Sequence, residues 1–209
     1  NRLTTLQRQR DTLLSKVSEI FSRRKIRMNI IVKPYGSDLC YCRPDTTWER
    51  ENKDFYVPEC VETLYWTPVL FAKVNKAGKC IGRKFVSRYY DTAGYGVLLY
   101  TGTEVAFASC ADHTSLLPAP SIDPTSLEVF SGRFGVLKNG EDIYGIDNIS
   151  KEDLESAICS ASKVTSLRIG DYVAVELAPM KALISRDEVQ AQLKAILDDG
   201  VLFDIKIQF

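Results

Sequence analysis

His113, in the run SCADHTS, is the only imidazole in a chain of 209 residues, and so the only side chain whose ordinary pKa suits proton transfer near neutral pH. Asp112 beside it offers a carboxylate that could orient the ring, but neighbours on a strand point to opposite sides, and a hydrogen-bonded structural histidine is the favoured reading. Arg88, in Arg88-Tyr89-Tyr90-Asp91, could hold an anion; the plainer reading is a helix end that packs two aromatic rings and leaves its charges in water. Asp45, Glu49, Glu51 and Asp54 gather the carboxylates a hard cation needs, yet Arg50 and Lys53 interleave them and a solvated loop is expected. The chain holds no GxSxG, no phosphate-binding loop, no GxGxxG after a strand and no HExxH.

Cysteine chemistry is equally unsupported. Cys40, Cys42, Cys60, Cys80, Cys110 and Cys159 are scattered without a CxxC pair, and a single histidine argues against a mixed zinc site. Cys40 and Cys42, two apart on a strand or in a turn, would bridge poorly, so reduced thiols in a cytosol are expected.

The elements that must position these residues are mostly short strands between turn signals. MNIIVKP opens one at Met28; NKDFYVP (52–58), LYWTPVLFAKV (64–74), YGVLLYTG (95–102), LEVFSGRFGVLKNG (127–140), DYVAVELAP (171–179) and VLFDIKIQF (201–209) carry β-branched and aromatic residues at strand density. Asn139-Gly140 marks a tight hairpin turn. Helices are predicted over 79–91, 149–163 and 185–198, the second with Ser150 and Asp153 at capping-box spacing. Leu3, Leu6, Leu13, Leu14, Val17, Ile20 and Phe21 place an amphipathic helix over 3–21. Strands with a few inserted helices and no regular βαβ alternation imply an α+β, mostly β fold.

Net charge is zero, 27 basic against 27 acidic residues, so the whole molecule has no electrostatic preference for nucleic acid or membrane. Residues 1–27 carry eight basic side chains against Asp11 and Glu19, a net +6 that leaves −6 for residues 28–209. The apolar stripe in that basic segment favours packing over RNA or an acidic surface. No run reaches the length of a membrane span.

From Met28 on, the order of segments resembles the fumarylacetoacetate hydrolase superfamily, in particular its bacterial 2-hydroxyhepta-2,4-diene-1,7-dioate isomerase-like members. MNIIV looks like the first strand and YCRPDTTWERENKDFYVP like the segment built on Lys-Pro-Asp-Ser. LYWTPVLFAKVNKAGKCIGRKFVSRYYDTAGYGV looks like the central strand, Gly-Lys turn, Arg-Tyr-Tyr-Asp helix and following strand. LKNGE and SLRIGDYV look like its hairpin and Gly-Asp turn, and the likeness spans most of residues 28–179.

The resemblance implies a rolled mixed β-structure with peripheral helices over 28–209, preceded by the amphipathic helix of 1–27. In active members Mg²⁺ or Mn²⁺ sits on a Glu-x-Glu pair and an Asp. Those positions fall here on Thr67, Val69 and Leu98, and no Glu-x-Glu occurs between residues 55 and 100. The family's substrate-holding Lys falls on Ser109, its carboxylate-binding Thr on Ala178, and the lid with its acid/base pair is reduced to KPYGSDLC. The expectation is a cytoplasmic protein without a metal cofactor, a pseudoenzyme that acts by binding. It would form a homodimer, with 1–27 as a partner contact and no nucleic acid or membrane involved. The alternative is a hydrolase, isomerase or decarboxylase of a 2-oxo or 2-hydroxydienoate acid, with Asp112 or His113 as base and Arg88 or Lys73 as anion holder.

Overall fold

The structure, a computed structural model, describes residues 28–127, 132–147 and 151–209. The helix expected over 3–21 and Ser150 of the expected capping box lie outside the described residues. Among the described residues no helix is long and apolar enough to cross a membrane.

Two β-sheets make the frame. The larger contains β1 (Ile30–Lys33), β2 (Tyr41–Arg43), β3 (Trp48–Glu49), β5 (Thr63–Val74), β6 (Tyr90–Tyr100), β7 (Ser115–Leu116), β10 (Tyr172–Glu176) and β11 (Lys181–Ser185). Its order is β2-β1-β10-β5-β6-β7-β3, with β11 on the same edge of β5 as β10. The smaller, β4-β13-β12-β8-β9, is built from β4 (Phe55–Tyr56), β8 (Phe134–Lys138), β9 (Glu141–Ile146), β12 (Gln190–Leu197) and β13 (Gly200–Gln208). Besides these strands the described residues form α1 (Val105–Ala108), α2 (Lys151–Val164) and three 3-10 turns, so the fold is α+β and mostly β.

The long strands are buried on both faces, and alternate side chains join two different core clusters. Even-numbered Leu64, Trp66, Leu70, Ala72 and Val74 of β5, with Val97 and Leu99 of β6 and Val173 of β10, face the main core under the smaller sheet and α2. Tyr95 of β6 stacks on Phe134 of β8 at 4.4 Å, joining the two sheets. Each such side chain contributes about 1.5–3 kcal/mol by leaving water. Alternate residues Val69, Phe71, Leu98, Tyr100, Tyr172 and Ala174 build a second cluster on the opposite face, with Ile30, Val32 and Met28.

The hairpin at Lys138–Glu141 forms as its sequence predicts: Asn139 (φ 52°) and Gly140 (φ 84°) take the left-handed conformations that a type I′ turn requires. Two expected helices do not form. Over 79–91 only a 3-10 turn, Arg83–Arg88, appears, and Tyr90 and Asp91 already belong to β6. Backbone donors at and just before its start are taken by tertiary acceptors: Gly78 N–H donates to Leu167 O, and Cys80 and Ile81 N–H donate to Ser162 O and Oγ. Over 185–198 the chain forms strand β12 after a 3-10 turn at Arg186–Glu188. Ala, Gln, Leu and Lys favour helix in isolation, but Ala191, Leu193 and Ala195 are buried in alternation with exposed Gln190 and Gln192. Pairing with β8 and β13 on both sides outweighs the propensity.

Candidate functional site

The second face of the larger sheet is where the sequence places a remnant site. Thr67 and Val69 alternate on β5 and share that face; Leu98 of β6 pairs directly with Thr67, and Gly96 with Val69. The three positions of the expected carboxylate triad therefore meet on two adjacent strands, and all three side chains are fully buried. Val69 and Leu98 pack with Phe71, Tyr100 and Leu117. Gly96 lets β7 approach, since a Cβ there would lie 2.5 Å from Leu116 O and 2.8 Å from Leu117 Cδ2.

Thr67 has a structural task. β10 and β11 pair with β5 in succession, leaving Leu177–Met180 to bridge the break. Thr67 Oγ1 donates to Ala178 O at 2.7 Å, and Leu177 N–H donates to Pro68 O at 2.9 Å. Ala178, the expected position of a carboxylate-binding threonine, thus meets a triad position through its backbone. Ser109, the expected position of the substrate lysine, follows α1 and is buried, its N–H donating to Val105 O. A hydroxyl already bound to a carbonyl and two alkyl groups do not fit Mg²⁺ or Mn²⁺, which take several oxygen ligands with carboxylates among them.

A polar network flanks this packed patch and escaped the sequence reading. Tyr100 Oη donates to Glu176 Oε1 at 2.5 Å, and the Tyr41 and Tyr100 hydroxyls are 2.5 Å apart. Glu176 Oε2 accepts from Tyr35 N–H at 2.9 Å. Fully buried Arg43 donates from Nη2 to Leu99 O (2.8 Å) and Thr114 Oγ1 (2.6 Å), and its guanidinium lies 4.9 Å from the centre of the Tyr100 ring. The spacing of Tyr172, Ala174 and Glu176 puts Glu176 on this face; nothing in the sequence links it to Tyr41, 135 residues earlier.

Burial pushes the Tyr100 hydroxyl well above its ordinary value, helped by Tyr41 and Glu176. Burial raises Tyr41 too, against the Arg43 charge. Neutral hydroxyls therefore stabilise the fold fully below the unfolded tyrosine pKa of about 10, and stability falls as pH rises from there toward the raised folded values. Urea denaturation at increasing alkaline pH, read beside tyrosinate absorbance, is expected to show this decline, shallower in Tyr100→Phe. A decline identical in Tyr100→Phe would contradict the assignment.

The remaining candidates lie elsewhere. His113 and Asp112 line a cleft of about 700 Å³ on the side of Phe55 and Tyr56. The partner that orients His113 is Glu49, its Oε2 2.7 Å from Nδ1, so the reading of all four acidic residues of 45–54 as solvated fails at Glu49, which is buried. Glu51 pairs with Lys53 at 2.5 Å, and Asp54 Oδ1 accepts from Lys206 N–H. Lys73 lines a different cleft of about 520 Å³ with Arg50 and Asp91. Arg88 is exposed beside the Phe85 ring and lines neither cleft. The structure does not bring Asp112 or His113 together with Arg88 or Lys73. Among the described residues no group of three or more His, Cys, Asp or Glu side chains is placed to hold a metal ion.

The chain has the fold of fumarylacetoacetate hydrolase-like proteins. A fumarylacetoacetate hydrolase family protein from Yersinia pestis CO92 superposes with a TM-score of 0.69 at 14% identity, over 87% of this chain and 92% of that one. Fumarylpyruvate hydrolase from Pseudomonas aeruginosa, solved with Mn²⁺ and pyruvate, gives 0.66 at 11% over 87% and 89%. The 2-hydroxyhepta-2,4-diene-1,7-dioate isomerase of Mycobacterium marinum gives 0.67 at 11% over 88% and 74%. The sequence matches no protein-family model and no curated protein.

Proposed function

We propose that this protein descends from the fumarylacetoacetate hydrolase superfamily, has replaced the metal-dependent site by packing, and acts by binding rather than by carbon-carbon bond chemistry. The observation that supports this reading most is the face shared by Thr67, Val69 and Leu98. These adjacent positions are fully buried, one hydroxyl bound to Ala178 O and two alkyl groups inside an apolar cluster. Enolate stabilisation in a metal-dependent lyase or isomerase needs the cation and a substrate-holding cation such as lysine. Here Ser109 stands at the second position, itself buried. The P. aeruginosa hydrolase was solved with Mn²⁺ and pyruvate; Thr67, Val69 and Leu98, the positions that the family resemblance assigns to metal ligands, offer no carboxylate.

The test is calorimetric titration of Mn²⁺ and Mg²⁺ into the protein, alone and with oxalate, which mimics the enolate of a 2-oxo acid. No heat beyond dilution is expected. Saturable oxalate binding that requires the metal would sink the proposal and restore a hydrolase, isomerase or decarboxylase as the leading reading.

A further inference from the structure

The cleft beside His113 lies apart from the packed face and is built differently. Glu49 ends β3, which pairs with β7 at Leu116 and through it with Val97, so Glu49 belongs to the side of the sheet opposite Leu98. Both of its oxygens are engaged, Oε1 by Glu51 N–H at 2.6 Å and Oε2 by His113 Nδ1 at 2.7 Å. The ring it holds is 60% exposed and the carboxylate 5%. In the neutral ring the Glu49 carboxylate accepts from Nδ1–H, and Nε2 keeps its lone pair. No hydrogen bond to Nε2 occurs among the described residues.

The backbone holds the ring in place. His113 adopts φ 60°, a left-handed conformation that histidine tolerates better than most residues, and its N–H donates to Thr46 O. Thr114, the next residue, is clamped by Arg43 Nη2 at 2.6 Å. The imidazole is thus presented to the cleft from a rigid turn.

The apolar part of the lining is Phe55, Pro58 and Tyr56; the Tyr56 ring is exposed, while Phe55 belongs to the main core. Asp112 and Asp54 stand at the cleft with Glu49; Lys53, the one lysine or arginine among the described lining residues, is bound to Glu51. The described lining carries more acidic than basic side chains, and its free polar groups include Nε2, an acceptor in the neutral ring, and the exposed Asp112 carboxylate. A volume of about 700 Å³ is within the range of small-molecule sites.

We propose that this cleft is a binding site for a small primary amine with an aromatic or branched apolar body. The ammonium donates to Nε2 of the neutral His113 ring and to Asp112, and the body lies against Tyr56 and Pro58. An anion of the same shape meets Asp112 and Asp54 with like charge and is excluded. The site does not depend on the fate of the metal positions on the other face.

Because His113 is the sole histidine, its Cε1–H resonance is unambiguous. Phenethylamine titrated into the full chain is expected to shift that resonance saturably, whereas 3-phenylpropionate leaves it in place. Asp112→Asn, at an exposed position where folding is not at stake, is expected to weaken phenethylamine about tenfold. His113→Asn, a residue that also accepts the left-handed backbone, is expected to weaken it similarly by calorimetry. An unmoved His113 resonance would overturn the proposal. So would tighter binding of the carboxylate than of the amine, or affinity unchanged in both variants.

Discussion

Leu98→Asp is expected to remove about 4–6 kcal/mol of stability, the sum of a lost core side chain and a carboxyl placed where no donor waits for it. Leu98 is fully buried on β6, directly opposite Thr67, whose hydroxyl is already committed to Ala178 O. With a typical domain stability of about 5–15 kcal/mol, much of the variant would be unfolded or close to it. Leu98→Ala, which makes a cavity without a polar group, is expected to cost about 2–5 kcal/mol and should stay the milder of the two. Urea denaturation of both against the parent decides the matter. If Leu98→Asp is as stable as the parent, residue 98 faces an open, hydrated cleft and the packed-face reading is lost. If Mn²⁺ restores the lost stability, enough ligands converge there to hold a metal.

For Arg43→Ala the expected loss is about 3–5 kcal/mol, because three effects coincide. Leu99 O loses a donor, the Thr114 side chain loses the contact that anchors the His113 turn, and the volume of a fully buried arginine empties. Arg43 Nε and Nη1 are buried without an acceptor, so part of the native charge is a cost that substitution relieves. Arg43→Met, which keeps most of the stem's volume, is therefore expected to recover about 1–2 kcal/mol relative to alanine. Equal stability of Arg43→Ala and the parent by chemical denaturation would mean that the guanidinium contacts carry no net stabilisation.

Several parts of this architecture were legible because their signals are local. β5 and β6 announce themselves by long runs of β-branched and aromatic residues, and they are buried almost continuously because both faces of the sheet are covered. Asn139-Gly140 needed no partner to specify its turn. β12 was not legible: QAQLKAIL reads as helix until β8 and β13 flank it. The 79–91 segment was misread for a related reason, since the acceptors that draw its backbone away from helix sit at Ser162 and Leu167.

The candidate sites divide along the same line. Sequence alone determined which residue types stand at Thr67, Val69, Leu98, Ser109 and Ala178, and residue type suffices to say that alkyl groups offer a cation nothing. It also determined that the chain carries a single imidazole. Tertiary structure alone decided that the three positions form one buried patch, and that Thr67 closes the break between β10 and β11. It also paired His113 with Glu49, 64 residues away, rather than with adjacent Asp112. Composition and spacing carry the chemistry available to each side chain. Partners brought together by sheet register across long stretches of chain depend on the packing of the whole molecule, which no local pattern encodes.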